Sequence, residues 1–123
     1  MSRLAIVLSG HDDSCCRSHS MRNFLLLLKV KSEMQTKSLY ADCIDIYVHP
    51  SEFLFLYRSF AKYVFPDFRI SVKRDCDSLS DYDEVIGCLS TVFKEQDHPP
   101  VKIYDPALRN EYILESLDDA EIL

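Results

Sequence analysis

His11, Asp12, Asp13, Cys15, Cys16 and His19 fall within nine residues, and all are side chains that could hold a metal ion. Imidazole and thiolate are the ligands zinc prefers, and a loop can wrap them around it. A structural zinc site normally offers two closely spaced pairs. Here only Cys16-x-x-His19 has suitable pair spacing, and the adjacent thiols Cys15 and Cys16 chelate one ion poorly. Cys43, His49 or Cys76 would have to complete the set. A polar loop with two incidental thiols is therefore the expectation, and zinc on Cys15, Cys16 and His19 is the alternative. No other cofactor is called for.

A second group is basic. Arg69, Lys73 and Arg74 lie on or at the end of one expected strand, and Arg58 and Lys62 lie one helical turn apart before it. With Lys29 and Lys31, and with Tyr57 or Tyr63 available for stacking, they could line an RNA phosphate surface. An ordinary solvated face is the plainer reading, and Asp67, Asp75 and Asp77 dilute the patch. A third group is greasy. Residues 53–65 are apolar or aromatic around most of a helical circumference, more than one core-facing side requires. A homodimer through Leu54, Phe55 and Arg58 is expected, because these lie off the stripe Phe53, Leu56, Tyr57, Phe60, Tyr63 and Val64.

The chain has only two glycines, Gly10 and Gly87, far apart. Loops that cradle phosphates need several, so a P-loop or a dinucleotide fingerprint is excluded. No spacing selects a nucleophile and base pair. His49 before Pro50 reads as a cap, and Cys43 and Cys88 read as small core hydrophobes. The protein is expected not to be an enzyme.

These groups must be carried by one domain. The 123 residues, 47% hydrophobic and 28% charged, suit a single globular unit spanning 1–123. No apolar run exceeds five residues, far short of a membrane span. The amino end lacks a secretory signal, and five cysteines without one are expected to be reduced thiols in an intracellular protein. Charge is lopsided: residues 1–37 carry six basic and three acidic side chains, 38–76 five of each, and 77–123 three against twelve. A net charge of −6 opposes indiscriminate nucleic-acid binding but leaves room for one basic face.

Leu4–Leu8 reads as a buried strand. The alternation in Leu27-Leu28-Lys29-Val30-Lys31 favours a second strand with Leu28 and Val30 inward, and Leu39–His49 a third. A helix starting at Pro50 follows, then a strand of Phe68, Ile70 and Val72. The spacing of Tyr82, Val85, Ile86, Leu89 and Phe93 predicts a helix begun near Ser80. Val101–Tyr104 is a short strand, and Asp105-Pro106 opens a last helix. An acidic tail, 118–123, is expected to fray. The order βββαβαβα implies an α+β domain: a mixed sheet of about five strands, opening with an antiparallel meander, covered by about three helices.

The opening Met1-Ser2-Arg3-Leu4 followed by aliphatics, the small size, the scattered Cys and His and the lack of catalytic motifs resemble the first-reading-frame proteins of sobemoviruses. Those are small plant-virus proteins that suppress RNA silencing and assist movement. The resemblance implies a non-enzymatic viral accessory protein of the host cytoplasm or nucleus, acting through RNA or a host silencing protein. Zinc-binding members carry C-x-x-C pairs, which this chain lacks, so no functional residue carries over. The alternatives are a dimeric α+β interaction module and a small zinc protein.

Overall fold

The computed structural model describes residues 2–8, 20–37, 39–74, 79–87, 101–103 and 121–122. They form β1 (Arg3–Val7), α1 (Ser20–Gln35), β2 (Cys43–Tyr47), α2 (Leu54–Val64), β3 (Arg69–Lys73), β4 (Glu84–Gly87), β5 (Val101–Ile103) and β6 (Glu121–Ile122). The strands make one sheet in the order β3-β2-β1-β4-β5-β6. Every pairing is parallel.

This is an α/β architecture, with the strand order of open doubly wound sheets, and it corrects the mixed sheet and opening meander expected from sequence. The correction starts at α1. Residues expected to be a strand form a helix of 16 residues, so β1 reaches β2 by a crossover and the two lie parallel. The alternating Leu27–Lys31 fits a helix once its inward face is seen. Leu26, Leu27 and Val30 are fully buried at helical spacing, whereas Leu28, expected inward, is 45% exposed.

Successive right-handed crossovers β1–α1–β2 and β2–α2–β3 step the same way along the sheet, so both helices cover one face. Leu4, Ile6, Ile44, Ile46 and Ile86 meet Leu26, Leu27, Val30, Tyr57, Ala61 and Val64 there in a single buried cluster. Each such aliphatic is worth about 1.5–3 kcal/mol when buried, so this layer is the chief source of cohesion. The alternate residues of the same strands face the other way, where Asp45 and Tyr47 meet Tyr82.

The helix expected from Ser80 is instead β4 where it is described. Val85 and Ile86 are fully buried in a strand between β1 and β5. Apolar side chains are wanted on both faces of such a strand, so neighbours 85 and 86 mimic a helical stripe. Just before β4, Asp83 meets Arg3 on β1 through both backbone and side chain. In the C-terminal tail, expected to fray, Glu121 and Ile122 pair with β5. β2 starts at Cys43 rather than Leu39, because residues 39–42 turn the chain with Leu39 and Ala41 buried. α2 starts at Leu54, not Pro50, with Phe53 as an N-cap lacking a side-chain bond, and stops as expected before Pro66. The helix expected after Asp105 lies outside the described residues. Among those residues, no helix is long and apolar enough to cross a membrane.

Candidate functional site

α2 has one face on the sheet and one in solvent. Tyr57, Ala61 and Val64 are buried, and Leu54 and Phe60 pack at the margin of the core. Opposite them Phe55 is 81% exposed, Tyr63 79% and Leu56 42%, with Arg58, Ser59 and Lys62 among them also exposed. Phe53, just before the helix, is 76% exposed. On α1 the exposed large apolar residues are Met21, Leu25 and Leu28. The helices meet along an aromatic seam in which the Phe24 ring lies 4.5 Å from Phe60 and 5.5 Å from Tyr57.

Of the expected interface residues, Phe55 and Arg58 are exposed, whereas Leu54 is half-buried against the core. Leu56 and Tyr63, read from sequence as inward, face solvent. Ala61 accounts for the difference. Its small side chain lets the helix approach the sheet closely, and centring the buried face on positions 57, 61 and 64 turns 56 and 63 outward. An alanine inside a run of aromatics was the signal available in the sequence.

The basic side chains do not form one surface. Arg58 and Lys62 lie on the outer face of α2, while Arg69 and Lys73 project from β3 on the face away from the helices, in register with Cys43 and Tyr47. Arg74 is spent on structure, its Nη1 donating to the Pro50 carbonyl at 2.8 Å. Lys73 Nζ stands 4.0 Å from Asp45.

Asp45 anchors a cluster on the sheet face opposite α1 and α2. Its Oδ2 accepts the Tyr82 hydroxyl at 2.6 Å and an Arg3 N–H at 3.4 Å. Tyr82 also bonds Tyr47 through the hydroxyls, and the Arg3 guanidinium stacks 4.6 Å over the Tyr82 ring. Burial, and then the hydrogen bond to Asp45, push the Tyr82 phenol far above its ordinary range. Such a phenol stays protonated and donates to the carboxylate, which is a structural role.

A polar chain closes the entry to α2. The Asn23 amide donates to the Tyr57 hydroxyl at 2.9 Å, and that hydroxyl donates to Glu52 Oε1 at 3.2 Å. All three side chains are buried, and Glu52 is 7% exposed. His49 Nδ1 accepts the Ser51 backbone N–H at 3.1 Å and lies 2.7 Å from the Ser51 hydroxyl. This is the local cap expected of His49. Between the C-terminal ends of the two helices opens a pocket of about 260 Å³ with Met34, Val64, Phe65 and Phe68 in its wall.

Cys15, Cys16, His19 and Cys76 lie outside the described residues, and Cys43 is half-buried on β2. Among the described residues no group of three His, Cys, Asp or Glu is placed to hold a metal ion. The class these features define is an α/β domain with an exposed aromatic helical layer. No protein-family model, curated protein or solved structure matches the chain.

Proposed function

We propose that this protein is a self-associating interaction domain whose contact surface is the outer face of α2. The observation that carries the reading is the exposure of Phe55 and Tyr63 on one helical face, with Leu56 between them and Phe53 alongside. Leaving several large apolar side chains in water costs roughly 1.5–3 kcal/mol each relative to burial, so a second copy that covers them is favoured. The functional class is binding rather than catalysis. In the setting that the sobemovirus resemblance implies, the dimer would act on the host silencing machinery. Light scattering at micromolar concentration tests the self-association. Wild type should run at twice 14.3 kDa, and Phe55→Glu should run as a folded monomer. A wild-type monomer would refute the reading.

A second reading has its own observation. Arg58 and Lys62 stand among Phe55 and Tyr63 on the same exposed face, the mixture of cations and rings that binds single-stranded RNA. Gel shifts with short RNAs at two salt concentrations test it, since phosphate contacts must weaken steeply with salt. Charge reversal at Arg58 and Lys62 should then reduce binding, whereas reversal at Arg69 and Lys73, on the other face, should matter less.

A further inference from the structure

One ridge on the exposed face of α2 is symmetric about Ser59. Phe55 lies four residues before it and Tyr63 four residues after, and all three face solvent. Positions four apart form one inclined ridge along a helix. The ridge therefore carries a large ring at each end and a small hydroxyl in the middle. A small central residue lets two helices approach closely, and the end rings then need partners beyond it.

We infer that two copies pack α2 against α2 about a two-fold axis passing at Ser59, with Phe55 of each copy beside Tyr63 of the other. This rests on the self-association proposed above and supplies its geometry. In a two-fold contact each residue i meets j and each j meets i, and an antiparallel arrangement carries position 55 to the level of 63. Ridges of the i±4 kind interdigitate when helices cross at about 50°, which lays the two Phe55–Ser59–Tyr63 rows side by side. Offset or edge-to-face ring pairs then form twice.

Two further features fit the second copy. The same operation brings Phe53 of one chain level with Phe65 and Pro66 of the other, where the pocket of about 260 Å³ opens. A cavity of about 150 Å³ takes benzene, so that pocket has room for a phenylalanine ring. The second feature is area. Aromatic side chains bury about 150–250 Å² each, so three from each copy, with Leu56, approach the roughly 1,000 Å² a biological interface needs.

Cysteine cross-linking under mild oxidation tests the axis, with oxidised wild type as the control for the native thiols. A residue on the two-fold meets its own copy, and helices packed about 8–10 Å apart bring facing positions within disulfide reach. Ser59→Cys should give a covalent dimer well above the wild-type background. Phe55→Cys and Tyr63→Cys should each stay near background alone and cross-link when the two variants are mixed. If wild type sediments as a dimer but Ser59→Cys does not cross-link, or Phe55→Cys alone cross-links as well as Ser59→Cys, the axis lies elsewhere and only the self-association survives. If wild type sediments at 14.3 kDa at about 100 µM, self-association itself fails, and this geometry fails with it.

Discussion

Asp83 and Arg3, 80 residues apart in sequence, are clipped together twice. The Arg3 backbone N–H donates to the Asp83 carboxylate at 2.7 Å, and the Asp83 N–H donates to the Arg3 carbonyl at 3.0 Å. The clip sits where β1 and β4 begin to run side by side, and Leu4 pairs with Glu84 immediately beyond it. A side chain and its own backbone thereby hold the register of β4 against the central strand.

Asp83→Ala should remove the charge-assisted half of that clip and leave the backbone half. Because the contact is exposed, the cost should be about 1 kcal/mol, read as a lower urea midpoint with an unchanged slope. A changed slope would mean that β4 had come away altogether.

Tyr82 should make the protein sensitive to alkali. Its folded phenol is raised above the ordinary value of about 10, so the folded state holds a proton that the unfolded state releases first. The stability this contributes is complete below about pH 10 and is lost as pH rises beyond it. Tyr82→Phe should flatten the decline while lowering stability at neutral pH by about 1–3 kcal/mol, since Asp45 loses its closest donor. Chemical unfolding from pH 7 to 11, with phenolate absorbance followed in parallel, measures both effects.

Tyr57→Phe should be costly despite its near-identical shape. The Tyr57 hydroxyl accepts from Asn23 and donates to Glu52, and both partners are buried, so its removal disrupts two bonds at once. A loss of about 1–3 kcal/mol is expected in thermal or urea unfolding. A near-neutral result would show that water reaches Glu52.

Lys37 closes α1 with φ at 63°, the left-handed conformation that glycine adopts freely. Its N–H reaches the Met34 carbonyl at 3.2 Å, and Leu39 N–H reaches Glu33 at 3.2 Å, so the turn is held. Lys37→Gly should stabilise the protein by up to about 1 kcal/mol, the relief of side-chain crowding outweighing the added freedom of the unfolded chain. A higher melting temperature is the expected result.

Some of this was legible in the residues. Leu4–Leu8 announces a strand buried on both sides, and Ile70 and Val72 alternate with Arg69, Ser71 and Lys73 as a strand with one inward and one basic outer face should. The aromatic run 53–65 announces a helix. What was illegible depended on distant contacts. Leu27–Lys31 satisfies both periods, and only the docking of Leu26, Leu27 and Val30 on the sheet selects the helix. Tyr82, Val85 and Ile86 satisfy a helical stripe, and only pairing with Leu4–Val7 places Val85 and Ile86 in a strand. The outward face of α2 differs from the expected stripe because its buried face centres on Tyr57, Ala61 and Val64, and the alanine within the aromatic run is the one sign of this in the residues.

The double clip between Arg3 and Asp83 also sets a clock for synthesis. β1 takes its neighbours from β2 and β4, the second of them 80 residues downstream. At about 5–20 residues per second the ribosome needs roughly 4–16 s to make that interval. Through those seconds one flank of β1, with Leu4, Ala5 and Ile6, has no strand to pair with. Among the described strands β1 is thus the one that waits longest for a partner, and the nascent protein is most open to chaperones, or to pairing with a neighbouring chain, along this strand of its future core.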